Sequence, residues 1–367
     1  MTDSNAIPVN KKSSRIVELD VLRAIAALNL LLFHFTWVYS SKYGFDSPLG
    51  VMFPFGKYGV QLFFMLSGFV NLFALLRKKP TSADFAVGRA IRIVPSFWLI
   101  VLFNVVLLSM FPMLQQDVTV GGTLANLTIM PQLFGAECME PVTWTLMVEV
   151  LFYGFLLYLL RSKRLYQPLM STMMFVLAMC VIGGLGNQFI QQHYSGTTFG
   201  ECFAFVDRLC FFRWMPLFSI GILLHEIKIK RGTLSHNSLG IFASAVAFHA
   251  IDQKHHNPAV TVILLALLGL SAFGKLPVLR LKPLVFIGSI SYSLYLFHNN
   301  LGTVLIHWME TIGVNSIVAF TIGTLAMIAL SALITYRFEQ PASKLLRSQW
   351  AKFKQRPLVA KTIKAIA

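Results

Sequence analysis

Charge is scarce in this sequence of 367 residues. Asp, Glu, Lys and Arg make up 13% of it, about half the share of an ordinary soluble domain, and only 15 residues are acidic. With 56% hydrophobic residues and a mean hydropathy of +0.67, that scarcity excludes a soluble globular domain. Cysteine is scarce too. Cys138, Cys180, Cys202 and Cys210 form no CxxC pair and no zinc spacing, and no HExxH or other ligand spacing occurs among the nine histidines, so no metal site is expected. No internal repeat and no Gly/Ser/Pro-rich linker divides the chain, which argues for one membrane domain.

What is present is a series of long apolar runs. A helical span needs about 20 mostly apolar residues, and candidates fall near 20–41, 58–76, 91–112, 142–160, 166–189, 208–226, 237–252, 258–274, 283–308 and 315–337. The expected fold class is therefore all-α, a polytopic integral membrane protein of about ten helices with both termini cytoplasmic. Its parts are a short segment 1–19, a membrane domain 20–340 and a basic tail 341–367. With the N-terminus inside, 26 of the 31 Lys and Arg fall in inner segments, leaving only Lys42, Lys57, Arg208, Arg213 and Lys254 outside. That asymmetry is the positive-inside pattern. It accounts for the net charge of +16 without a nucleic-acid partner, and the tail is expected to lie on an anionic lipid surface. Lys11, Lys12 and Arg15 precede an apolar run with no small-x-small cleavage site, so that run reads as a retained first span. Residues 120–142 are too interrupted for a span and are placed outside, dipping back among the helices. Cys138 and Cys202 share that outer side and are either disulfide-bonded or free thiols.

Four constellations carry chemistry. In "DVLRAIAALNLLLFHF", residues 20–35, Arg23 and His34 are eleven positions apart, three helical turns plus about 20°, which places them on one face about 16 Å apart along the axis. Arg23 sits at the inner boundary, where it can snorkel. His34 lies near the midplane, where an ionisable group marks a functional site or serves as packing glue between helices. Arg89 and Arg92, at i and i+3, share a face and either flank the span or hold a phosphate, for which guanidinium forks are suited. Glu149, five residues after Trp144, has no cation within helical reach on its own span and must find a partner on another. His34 is one candidate partner, and loop backbone at the outer surface is the other. In "SISYSLYLFH", residues 289–298, hydroxyls line the ninth span, and His298, with Tyr292 and Trp144, is a candidate for the acceptor entrance.

These segments resemble the membrane acyltransferase family 3, which includes bacterial polysaccharide and O-antigen O-acetyltransferases. The resemblance runs nearly end to end through "LDVLRAIAALNLLLFHF", "GVQLFFMLSGFV", "RAIRIVPSFW", "WTLMVEVLFY", "SISYSLYLFH" and "FEQP". It implies that Arg23 and His34 belong to an essential first-span motif. It also implies that Arg89 and Arg92 serve an acyl-CoA donor, acetyl-CoA by preference, and that Glu149 is the family's acidic residue. Gln61 departs from the pattern where many members are acidic, as does Val21 where Gly is usual. With no esterase-like domain after the tenth span, the chain resembles the stand-alone form of the family.

The resemblance thus implies an O-acyltransferase, in a bacterial cytoplasmic (inner) membrane, that acts on a cell-surface glycan or its lipid-linked precursor. In this scheme His34 is the base or a transient acyl carrier. A small-molecule acceptor, such as a macrolide or secreted lipid, is the alternative within enzymology. A proton-coupled transporter is the non-enzymatic alternative, though the inverted repeats and broken helix pairs common in transporters are missing.

Overall fold

In hydrocarbon every backbone N–H and C=O must be satisfied within the protein, so apolar runs of this length fold as helices. The structure is a computed structural model describing residues 16–114, 116–210, 212–252 and 257–356. Lys11, Lys12, Arg15, Lys254, Lys361 and Lys364 lie outside the described residues, as do the side chains of Arg208 and Cys210.

Among the described residues all regular elements are helical. The first stretch comprises α1 (Val17–Phe33), a π-turn at His34–Val38 and α2 (Tyr39–Lys42). Then come α3 (Gly59–Lys78), α4 (Ser82–Met110), the short α5 (Val120–Leu127), α6 (Trp144–Arg161), α7 (Met170–Tyr194) and α8 (Thr198–Cys210). The C-terminal half holds α9 (Met215–Lys228), α10 (Leu234–Ile251), α11 (Pro258–Ala272), α12 (Lys282–Phe297) and α13 (Asn299–Thr311). It finishes with α14 (Ser316–Ile334) and α15 (Gln340–Lys354), joined by a π-turn.

Among the described residues six stretches are long and apolar enough to cross a membrane: Val17–Lys42, Pro54–Lys78, Ser82–Met110, Pro141–Arg161, Met170–Tyr194 and Ser316–Lys354. Helices α11 and α12 are apolar but shorter. This is an all-helical integral membrane protein. The ten expected spans exceed these six, and two of the expected segments also differ in their helices. The segment expected at 208–226 is helical as α9 only from Met215, where Pro216 fits the first turn because its missing N–H needs no partner there. The segment expected as one helix at 283–308 is two, α12 and α13, which meet at His298.

Small residues set the helix crossings. A Cβ on Gly221 of α9 would lie 2.0 Å from the Met65 carbonyl oxygen of α3, and one on Gly68 would lie 2.2 Å from that of Phe218. Gly288 of α12 likewise comes against the Asp20 carbonyl of α1. Backbones this close gain dispersion contact that lipid cannot compete away. The contact at Gly288 is between N-terminal halves, so α1 and α12 run parallel, and α1 with α12 and α3 with α9 form the centre of the bundle.

The 120–142 segment is α5 followed by two single-turn helices. Buried Asn126 knits it together, donating to the Glu137 carbonyl and accepting from the Met139 N–H. Cys138 and Cys202 are both free thiols. Beyond the second π-turn, α15 exposes Lys344, Arg347 and Lys352. It docks on the first turn of α4, where Asp84 accepts from the Trp350 indole at 2.8 Å and from Lys354 at 2.6 Å.

Candidate active site

Two cavities lie end to end in the centre of the bundle. The first has a cavity volume of about 110 Å³ and is lined by Arg23 of α1, Ser67 and Asn71 of α3, Arg89 and Arg92 of α4, Glu149 and Tyr153 of α6, and Tyr292 of α12. Three guanidinium groups thus face one carboxylate. Helical spacing puts Arg89 and Arg92 on one face, and aromatic rings hold them there. The Arg89 guanidinium lies 5.2 Å from the Phe85 and Tyr153 ring centres, and that of Arg92 lies 6.0 Å from Tyr292. Arg23 pairs with Asp20 one turn earlier, at 3.2 Å. Glu149 accepts from Ser67 at 3.3 Å and from Tyr153 in a short contact.

The second cavity has a volume of about 480 Å³ and is lined by Leu30, Phe33, His34, Lys57, Val60, Gln61, Pro141, Val142, Trp144, Arg213, Trp214 and Tyr295. Val60 and Tyr295 line both cavities. The Tyr295 hydroxyl is tied to the Val142 carbonyl at 2.8 Å and to Thr145 at 2.7 Å, so the ring forming the common wall is fixed from behind.

His34 opens the π-turn of the first span, and such turns recur at functional sites. Its partner is His298, at the α12–α13 break. His298 Nδ1 lies 3.0 Å from the Leu294 carbonyl and 2.9 Å from that of Tyr295. Carbonyls only accept, so in the neutral ring Nδ1 carries the proton and Nε2 is the acceptor. His298 Nε2 lies 3.0 Å from His34 Nδ1, which also lies 2.8 Å from the Leu30 carbonyl. This geometry assigns the tautomers: His34 donates through Nδ1, and its Nε2 keeps the lone pair.

The same contacts explain why the two helices are irregular at this level. Phe35 packs so tightly on α13 that a Cβ on Gly302 would lie 2.1 Å from its ring. Asn299 and Asn300, directly after His298, are held from the 140 loop. The Glu140 carboxylate accepts from Asn299 Nδ2 at 3.0 Å and from the Asn300 N–H at 3.4 Å, and Asn300 donates to Asn104 at 2.6 Å. Burial pushes the Glu140 carboxyl up to about 7.

The structure thus brings Arg23, Arg89, Arg92 and Glu149 to one cavity, although they come from three helices. His34 and Trp144 lie in the next cavity, with the Trp144 and Trp214 rings 5.1 Å apart. Three placements differ from expectation. Glu149 meets Ser67 and Tyr153 rather than His34, whose imidazole meets His298 instead. Tyr292 stands with the arginines, where its hydroxyl donates to the Ile93 carbonyl. His298 is fully buried behind His34 rather than at an entrance. Sequence reasoning placed the Tyr295 hydroxyl on the ninth span without a role and missed Lys57 and Arg213 as site residues; for the two cations, the only signal was their rarity on the side assigned as outer.

A family profile described as an acyltransferase domain matches residues 16–336. The chain belongs to the acyltransferase 3 family. It is an acyltransferase enzyme, and the two cavities are built from the segments that the family match spans. The acyltransferase is 27% identical over 372 residues to nodulation protein 10 of Rhizobium leguminosarum bv. viciae, covering 90% of this chain and 94% of that one. It is 28% identical over 271 residues to the exopolysaccharide production protein ExoZ of Rhizobium meliloti, covering 68% and 77%. No solved structure matches it. Among the described residues, no cluster of His, Cys, Asp and Glu could hold a metal ion.

Proposed function

We propose that this acyltransferase moves an acyl group, acetyl by preference, from cytoplasmic acyl-CoA to a hydroxyl of a glycan or lipid-linked glycan on the far side of a bacterial inner membrane. What carries the reading is the meeting of the two cavities at Val60 and Tyr295. A cationic chamber that suits phosphates abuts a chamber that holds an imidazole with a free lone pair. The name of the relative ExoZ, an exopolysaccharide production protein, supports a glycan acceptor.

In this mechanism Arg23, Arg89 and Arg92 hold the phosphates of the donor, and its pantetheine arm passes the wall at Tyr295. The acceptor hydroxyl enters beside Trp144. His34 Nε2 takes the hydroxyl proton as the oxygen attacks the thioester carbonyl. The C–S bond breaks, the ester forms, and the departing thiolate takes the proton from the His34 imidazolium. Held on both sides, the reactants need no further ordering, which is where most of the rate gain from positioning arises. Glu149 offsets part of the arginine charge and, through Tyr153, fixes the ring on which Arg89 rests.

The test uses proteoliposomes with glycan acceptor trapped inside and acyl-CoA outside, with CoA release and acylated glycan as readouts. The reading requires both to appear together, whereas acyl-CoA binding without CoA release would favour a transporter. Arg89→Gln and Arg92→Gln are each expected to raise KM for acyl-CoA about tenfold, the range of one charge-assisted hydrogen bond. The acceptor KM should change little. Label from radioactive acyl-CoA retained on His34 in the absence of acceptor would replace direct transfer with an acyl-imidazole route.

A further inference from the structure

The histidine cavity is cationic beyond anything that proton transfer requires. Lys57 and Arg213 both line it, and no carboxylate does so among the described residues. Only five cations in the whole chain fall in segments read as outer, so finding two of them in one chamber is a concentration of charge where the sequence is poorest in it. Each is held in place. Lys57 stands on the 3₁₀ turn Pro54–Tyr58, which presses on α1 so closely that a Cβ on Gly56 would lie 2.1 Å from the Asn29 carbonyl and 2.8 Å from Phe33 Cβ. Only glycine allows that approach, and it fixes Lys57 beside the turn that carries His34. Arg213 lies over the Trp214 ring at 5.9 Å. Its ion-pair partner, Asp252, is 4.0 Å away, at the limit of contact.

Two cations at the wall of one chamber favour an anionic ligand over a neutral one by charge complementarity. The indoles of Trp144 and Trp214 offer apolar surface to the C–H face of a sugar ring. Resting on the proposed acyl transfer, we infer that the acceptor is anionic, with a carboxylate or phosphate group close to the hydroxyl that is acylated, and that Lys57 and Arg213 select it.

The test compares three acceptors with the purified enzyme in nanodiscs and acetyl-CoA as donor. These are a free neutral oligosaccharide, the same oligosaccharide with one uronic acid, and the neutral oligosaccharide carried on a lipid diphosphate. The expected result is a kcat/KM at least about tenfold higher for an anionic acceptor than for the free neutral one, as a charge-assisted hydrogen bond provides. Preference for the uronic acid assigns the anion to the glycan; preference for the diphosphate alone assigns it to the lipid carrier. In Lys57→Gln and Arg213→Gln the ratio should shrink several-fold, mainly through acceptor KM. Equal use of all three by the wild type would overturn the inference while leaving acyl transfer intact. So would variants that slow every acceptor in proportion, since misfolding acts that way. Absence of CoA release with every acceptor would defeat the transfer reading, and this inference with it.

Discussion

Replacing His34 with alanine is expected to slow CoA release about a thousandfold, within the range a general base contributes, while acyl-CoA binding stays near the wild-type level. The expectation follows from placement. His34 lines the cavity beyond the shared wall, whereas Arg23, Arg89 and Arg92 line the cavity before it. Removing the imidazole therefore deletes the proton acceptor without touching the groups assigned to the donor phosphates. A mutation of this kind lowers kcat and kcat/KM together, the signature of an interaction made only in the transition state. The measurement is steady-state CoA release in nanodiscs, paired with equilibrium binding of acyl-CoA to the same preparation. Turnover near the wild-type rate would defeat the assignment of His34 as base. Loss of donor binding in parallel would mean that the substitution had disturbed the bundle instead.

How far the sequence anticipates this site depends on which physical rule places each residue. Arg23, Arg89 and Arg92 are readable because cations in a membrane protein stay near its boundary. Three arginines at the starts of segments read as outward-running share a level before anything is known of their packing. Their convergence in one cavity then needs only that α1 and α4 be neighbours of α12, as they are. Glu149 is readable as a carboxylate in need of a partner, but hydropathy cannot say which helix supplies one. Ser67, on α3, does so from 82 positions away.

The break at His298 is illegible for a related reason. Residues 283–308 carry scattered serines and histidines and one pair of adjacent amides, Asn299 and Asn300, in a run that is apolar on the whole. Periodicity alone reads straight through them. What divides the run is tertiary. Glu140, 159 positions from Asn299, accepts from that side chain, and Phe35 requires the glycine at 302. The same holds for Tyr292, whose neighbours on its own helix suggest nothing about which cavity it faces. Its position is set by the α4 backbone at Ile93.

The pairing of the two imidazoles leads to the second large effect. His298→Ala is expected to lower kcat about a hundredfold with the acyl-CoA KM little changed, and His298→Gln to recover a measurable part of the loss. His298 touches neither cavity, so its effect runs through His34 as a positioning residue. By accepting from His34 Nδ1 it holds the ring in the tautomer that leaves Nε2 basic, and it shares the positive charge when Nε2 takes the hydroxyl proton. Alanine removes one of the two acceptors of His34 Nδ1, leaving the Leu30 carbonyl, and opens a void in a site that is fully buried. Glutamine can turn its carbonyl oxygen toward Nδ1 and restore the acceptance, although it cannot spread the charge as an imidazole does. The readouts are kcat and KM taken separately, with thermal stability in detergent for each variant. If alanine and glutamine lose rate equally, in step with lost stability, His298 only fills space between α12 and α1. Rescue by glutamine at matched stability is a result that packing alone would not produce, because lost packing would lower stability and rate together.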